Sequence, residues 1–198
     1  MDDIGIFILS SGSSKRTKDV KHKALLTFDS SALIIYQIRT ILNVFDKVNI
    51  ILGSQADVIF QFCKNNLDGL EFSKVNFYIF DEWNKGRSYS LSHFAKLALN
   101  LNLDWCFLVS VDQPISEKIL FEMQKNIFNF DADVFLPTYK NKKGHPVLIN
   151  KKTLEKIKTL RDNPNLILSS IIMEMKVKEI EINDKFIHLN LNNLEDFR

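Results

Sequence analysis

A chain of 198 residues is long enough to bury one compact core, and 45% hydrophobic with 25% charged residues excludes wholesale disorder. Its 26 basic and 24 acidic side chains leave a formal charge of +2, which excludes a general nucleic-acid binder that neutralises many phosphates; any anion binding must be local. The longest apolar runs (4–9 and 106–111) are strand-sized, so no membrane helix is predicted; the acidic start Met1-Asp2-Asp3 does not resemble a signal peptide, which makes the cytoplasm the expected location.

Short β-branched and aromatic runs alternate with longer amphipathic segments, the pattern of βαβ units around a mostly parallel sheet. In chain order the patterning predicts a strand at 4–10, a helix at 32–45, a strand at 47–53, a helix at 56–66 and a strand at 75–81. A helix at 88–100, a strand at 105–111, a helix at 116–128 and strands at 133–137 and 145–149 follow. Helices at 151–160 and 166–173, extended segments at 176–182 and 186–189, and a short helical tail complete the chain. No repeat or Pro/Gly-rich linker interrupts this order, so residues 1–198 are expected to form a single domain. Cys63 and Cys106 lie in apolar runs without CxxC spacing and are expected as buried thiols rather than as a disulfide or metal ligands.

The basic residues concentrate in one place. Ser10-Ser11-Gly12-Ser13-Ser14-Lys15-Arg16 leaves the first strand, and Lys18, Lys21 and Lys23 follow. Small residues let backbone N–H groups converge on an anion, and Gly12 offers φ values and a close approach that a side chain blocks. Arg16 would add a forked guanidinium and Lys23 a point charge. A solvated turn has the same composition; its place at the C-terminal edge of the first strand, where α/β sheets bind ligands, favours the phosphate cradle.

Three later positions carry chemistry. Gly86-Arg87-Ser88-Tyr89-Ser90-Leu91 opens a helix, so Ser88 is either a plain N-cap or a ligand contact at the positive helix end. Val111-Asp112-Gln113-Pro114 closes an apolar strand; Pro114 stops the ladder, and Asp112 either caps the next helix or faces the crevice as a hard oxygen ligand for Mg²⁺. Gly144-His145-Pro146 places a lone histidine beside a strand, where it is structural or contacts a substrate. No GxGxxG follows the first strand, which argues against a dinucleotide-binding dehydrogenase.

Residues 9–16 resemble the L-A-A-G-x-S-x-R opening of MobA-like nucleotidyltransferases, and the resemblance covers nearly the whole chain. Residues 86–91 are similar to the family's G-x-x-S-S-L element, and V-D-Q-P at 111–114 and G-H-P at 144–146 resemble the molybdenum-cofactor cytidylyltransferase branch. The resemblance implies a Rossmann-like three-layer α/β sandwich of the nucleotide-diphospho-sugar transferase, GT-A-like type with a mostly parallel sheet. It implies that Ser10, Ser11, Gly12, Ser13, Ser14, Gly86, Ser88 and Ser90 hold a nucleotide, that Arg16 and Lys23 act on its phosphates, that Asp112 holds Mg²⁺, and that Gln113 and His145 meet the second substrate. The implied reaction transfers CMP from CTP to a phosphorylated acceptor such as molybdopterin and releases pyrophosphate, in a monomer or weak homo-oligomer that needs neither nucleic acid nor membrane.

The sequence also departs from the family. Thr17 and Lys18 stand where the family usually has Met-Gly, and Lys23 lies seven positions after Arg16, a spacing used by sugar-nucleotide and methylerythritol-phosphate relatives. A cytidylyl- or uridylyltransferase acting on a sugar, alditol or choline phosphate is therefore the rival enzyme. Leu160-Arg161-Asp162 resembles the family's L-x-G-D element with Arg for Gly, and Asp162 either caps the following helix or touches ligand. At 190–197 the family's D-I-D-T-P-E-D-L has become N-L-N-N-L-E-D-F. Asn190 and Asn192 replace two aspartates; the Asn192 amide oxygen can still ligate Mg²⁺ but brings no charge. A nucleotide-binding relative with weakened turnover is the third reading.

Overall fold

The apolar strand Ile4–Ser10 (β1) alternates its side chains between two faces, and that alternation places it in the middle of the molecule: Ile6 and Ile8 enter one apolar cluster and Phe7 the other. The computed structural model describes residues 3–12, 22–163 and 165–191. A 3-10 turn at Lys23–Leu25, a small hairpin of Thr27–Phe28 (β2) and Ser31–Ala32 (β3), and the helix Leu33–Leu42 (α1) lead to the strand Val48–Leu52 (β4). The helix Ala56–Asn66 (α2), a short helix Gly69–Ser73 (α3), the strand Val75–Ile79 (β5), a 3-10 segment at Asp81–Lys85 and the helix Arg87–Asn100 (α4) come next. Then follow the strand Trp105–Ser110 (β6), the helix Glu117–Gln124 (α5), and the strands Val134–Tyr139 (β7), Lys142–Lys143 (β8) and Val147–Asn150 (β9). The helix Lys151–Lys158 (α6), a 3-10 turn at Thr159–Arg161, the helix Leu168–Met173 (α7), the strand Val177–Glu181 (β10) and a 3-10 turn at Lys185–His188 complete the described chain.

The main sheet runs β10-β7-β9-β6-β1-β4-β5, with β8 paired to β7. All neighbours along this row are parallel except β9, which is antiparallel to both β6 and β7. Helices cover both faces. On one side α1 supplies Ile34, Ile35, Ile38 and Ile41, and α5 supplies Ile119, Leu120 and Met123. On the other, α4 supplies Leu91, Phe94, Ala95 and Ala98, at helical spacing, with the Phe94 ring edge-on to Phe7 at 5.2 Å. Three α/β layers result, as the family resemblance implies, around the mostly parallel sheet that the sequence pattern predicts.

The chain leaves β1 towards β4 and β5 and then returns across the sheet to β6 on β1's other side. Between β1 and β6 the connections diverge, and a crevice opens at the carboxyl ends of these strands, where open α/β sheets bind their ligands.

Two sequence expectations change. Residues 186–189 are not extended: the Asp184 carboxylate accepts the Phe186 N–H at 2.9 Å and winds Lys185–His188 into a 3-10 turn. Helix α3 was not anticipated, although Asp68 and Glu71 form a reciprocal capping box around its start, a signal present in the sequence. Cys63 and Cys106 are buried free thiols as expected, and burial pushes the Cys63 thiol up to about 12. Among the described residues no helix is long and apolar enough to cross a membrane. The predicted tail helix lies outside the described residues.

Candidate active site

The crevice is a cleft of about 500 Å³ walled by the ends of β1 and β6 and by the start of α4. Ser11, Gly12, Gly86, Ser90, Gln113 and His145 line it, so six of the sequence-selected residues, drawn from four separate segments, meet in one place. Trp83, Asn84 and Arg87 line it as well; only their neighbours Gly86, Ser88 and Ser90 had been singled out.

Gly53, at the end of β4, sets how closely two of these walls approach. A Cβ there would lie 2.5 Å from the Ser11 carbonyl oxygen and 2.6 Å from the Trp83 Cβ, so glycine is what lets the β4 loop seat both. Gly86 has φ +106° and ψ −179°, a conformation essentially restricted to glycine, and it turns the chain into α4. Gly12 behaves otherwise than the sequence argument held: its φ is not positive, and a Cβ would meet no described atom within 4 Å. It lines the cleft without any described contact that demands a glycine.

Lys23 and Asp112 stand together, 89 residues apart in sequence. The Lys23 ammonium lies 3.4 Å from Asp112 Oδ2, with side-chain exposures of 10% and 24%. Ser110 donates its hydroxyl hydrogen to Asp112 Oδ1 at 2.6 Å, and Ser110 itself lines the cleft. The chain end returns to this point, where the Leu191 N–H donates to the Asp112 carbonyl at 2.8 Å. Asn190, the residue before Leu191, is thereby brought near Asp112. Asp112 does not cap α5; that cap is Ser116.

Two buried polar residues that the sequence reading passed over shape this corner. His22 receives the Ala24 N–H on Nδ1 at 3.2 Å, so its Nε2–H is the donor to the Gly12 carbonyl at 2.9 Å. Burial holds its pKa below the usual imidazole value, and Lys23 adds to that, so the ring is a neutral strut between Gly12 and the turn carrying Lys23. From α1, the buried Gln37 amide donates to the carbonyls of Ser110, Val111 and Gln113 at 3.1–3.3 Å and fixes the segment that carries Asp112. A polar residue inside the Leu33–Ile38 apolar run was the available signal.

Several assignments move. Ser10 is fully buried and does not line the cleft. Ser88 is neither the N-cap of α4, which is Gly86, nor part of this cleft; its hydroxyl donates to the Leu166 carbonyl at 3.4 Å. Asp162 does not cap α7, whose N-cap position is Ile167. Ser13, Ser14, Arg16 and Asn192 lie outside the described residues. Beside the first cleft lies a second of about 460 Å³, sharing Arg87, Leu91, His145, Val147 and Leu168 with it and lined also by Ser88.

His145 thus belongs to both clefts. Burial lowers its pKa, Arg87 lowers it further and Asp112 opposes them, which places a cation and an anion within electrostatic reach of the ring. Among the described residues no group of three His, Cys, Asp or Glu side chains is placed to hold a metal ion.

The fold is shared with solved structures. Rv0371c from Mycobacterium tuberculosis H37Rv superposes with a TM-score of 0.75 at 15% identity, covering 99% of this chain and 95% of its own, and a complex of Rv0371c with manganese is also similar (TM-score 0.70, 14% identity, 98% and 96% covered). The 4-diphosphocytidyl-2C-methyl-D-erythritol synthase of Anaerococcus prevotii DSM 20548 gives 0.75 at 13% identity, with 99% and 95% covered. A cytidylyltransferase from Leptospira borgpetersenii serovar Hardjo-bovis gives 0.71 at 16% identity, with 100% and 84% covered. No curated protein matches the sequence significantly. Residues 6–177 match the MobA-like NTP transferase domain, a stretch that runs from the first strand through the cleft to β10, and the chain belongs to that nucleotidyltransferase family.

Proposed function

We propose that this protein transfers CMP from CTP to a phosphorylated acceptor such as molybdopterin, with release of pyrophosphate. The observation that carries this reading is the position of the Lys23–Asp112 pair beside the cleft at the carboxyl ends of β1 and β6, which Ser11 and Gly12 line. An oxygen of the acceptor phosphate attacks the α-phosphorus; the bond from that phosphorus to the oxygen bridging to the β-phosphorus breaks, and pyrophosphate departs with the electron pair. The protein's part is positioning and charge compensation, and no general base is needed for a phosphate dianion. Lys23 and Arg16 hold triphosphate oxygens, the Gly12 segment presents backbone to them, and Gln113 and His145 face the acceptor.

A single protein carboxylate fits a Mg²⁺ ion shared with phosphate oxygens and water better than a dedicated protein cage. Asp112 would hold it, with Asn192 as a neutral ligand, and the bound ion would offset charge on the phosphates. Without it, Lys23 supplies the counter-charge of Asp112.

Pyrophosphate release from CTP, GTP, UTP and ATP with molybdopterin and with sugar, alditol and choline phosphates, in Mg²⁺ and Mn²⁺, tests the reading. Release confined to CTP with molybdopterin supports it. Preference for a polyol or choline phosphate replaces it with the rival transferase that the Arg16-to-Lys23 spacing favours. Nucleotide binding without release for any acceptor would make the protein a binding relative, the reading that Asn190 and Asn192 favour.

A further inference from the structure

Arg161 stands where the family's L-x-G-D element has glycine, and its side chain lines neither cleft. The turn that carries it is firmly seated. Leu160 beside it is fully buried in the cluster that α4 covers, and the buried Ser92 hydroxyl of α4 donates to the Lys158 carbonyl at 2.6 Å.

From this base the guanidinium reaches back 79 residues in sequence. Its Nη2 donates to Glu82 Oε2 at 3.3 Å, and its Cζ lies 5.5 Å from the centroid of the Tyr89 ring on α4. The Lys85 ammonium approaches the same ring at 5.5 Å and pairs with the other Glu82 oxygen. Glu82 and Tyr89 are thus each shared by two cations, and the four side chains close into a ring.

What Glu82 holds is a wall of the first cleft. It precedes Trp83 and Asn84, which line that cleft, in the 3-10 segment Asp81–Lys85, where no residue is buried. A segment with nothing in the core depends on its surface contacts. The Phe80 N–H donates to the Leu52 carbonyl at 2.7 Å, the Gly86 N–H donates to the Trp83 carbonyl at 3.4 Å, and Trp83 rests on Gly53. Arg161 adds a tie from a distant part of the chain.

We infer that Arg161 is a positioning residue for the nucleotide: through Glu82 and Tyr89 it holds the Trp83–Asn84 segment in place as a cleft wall. This rests on the nucleotidyl-transfer reading above. A planar guanidinium can pair with a carboxylate along its edge while its face covers an aromatic ring, which glycine cannot do. The Arg161 and Glu82 side chains are 36% and 35% exposed, so each contact is individually weak; together they are worth about three- to tenfold in nucleotide affinity.

Acrylamide quenching of tryptophan fluorescence and calorimetric titration with CTP, both on the full chain, test this. Of the two tryptophans Trp105 is 8% exposed, so quenching reports chiefly on the half-buried Trp83. Arg161→Ala should raise the quenching constant and weaken CTP binding about three- to tenfold. Glu82→Gln should do the same, and the double variant should fall within about twofold of the worse single one, because the two side chains act as a unit. Lys156→Ala removes an equal charge and breaks an exposed pair with Glu174 at 2.9 Å, yet should leave both readouts at parental values. Parental quenching or parental CTP affinity in Arg161→Ala, additive losses in the double variant, or an equal loss in Lys156→Ala would each overturn the inference. If the parent itself binds no CTP, the nucleotidyl-transfer reading falls, and the quenching comparison alone upholds or overturns the hold of Arg161 on the wall.

Discussion

Replacing Asp112 with asparagine separates its two partners, the lysine it pairs with and the cation it is proposed to hold. At 3.4 Å, the Lys23–Asp112 attraction is about 5 kcal/mol at an effective dielectric of about 20. Desolvation of the largely buried lysine and screening at the quarter-exposed carboxylate cancel most of this, leaving about 1–2 kcal/mol net. Metal-free CTP must win Lys23 away from that pairing. In Asp112→Asn it need not, so CTP affinity in EDTA should rise by about 5–30-fold, the equivalent of that net energy. In Mg²⁺ the same variant should lose the metal-dependent gain in affinity and fall to background turnover. Calorimetric titration of CTP with EDTA and with Mg²⁺, beside a pyrophosphate assay, reads both effects. Unchanged metal-free affinity together with wild-type turnover in Asp112→Asn would refute the argument and move the metal elsewhere.

Other perturbations test the remaining parts of the site. Lys23→Ala and Arg16→Ala should each weaken CTP binding or turnover tenfold or more while far-UV circular dichroism stays that of the parent, since each removes a charge-assisted contact worth about 1.5–3 kcal/mol. Gly12→Ala should leave the urea midpoint nearly unchanged, because a Cβ there meets no described atom, yet should impair CTP binding. Gly86→Ala should instead lower unfolding free energy by about 1–3 kcal/mol, the cost of forcing φ +106° on an L side chain. His22 titrates below its ordinary 6.5 because it is buried, so the unfolded chain protonates first as pH falls. Stability contributed by the neutral ring is thus complete above 6.5 and is lost as pH falls through the lowered folded value; urea titrations between pH 7 and pH 4.5 should show a shallower decline for His22→Gln.

Much of the site was legible because the evidence for it is local. A strand of alternating apolar residues followed by Ser-Ser-Gly, an apolar strand capped by Asp112 and Gln113, and a glycine opening a helix each announce their place at a strand or helix end. Ser11, Gly12, Gly86, Ser90, Gln113 and His145 do meet in one cleft. Ser10 and Ser88 were misplaced for a reason that composition cannot express. Ser10 is the last residue of β1 and lies inside the sheet, and Ser88 is rotated around α4 from Ser90, away from the first cleft and into the second. His22 was passed over because a lone polar residue in a loop has no local reason to be singled out; Gln37 does stand out in an apolar helix face, but only the fold shows that it holds the Ser110, Val111 and Gln113 carbonyls.

By itself the amino-acid order determined the alternation of strands and helices, the buried faces, and the loops at the carboxyl ends of strands, since burial periodicity and turn chemistry are written over a few neighbouring residues. Tertiary structure decided the rest: β9 inserted antiparallel between β6 and β7, Lys23 brought to Asp112 across 89 residues, and Arg87 and His145 placed between two clefts. Such meetings depend on which strands become neighbours when the chain crosses back over the sheet, and that choice is made by the packing of the whole core, not by any one segment of it.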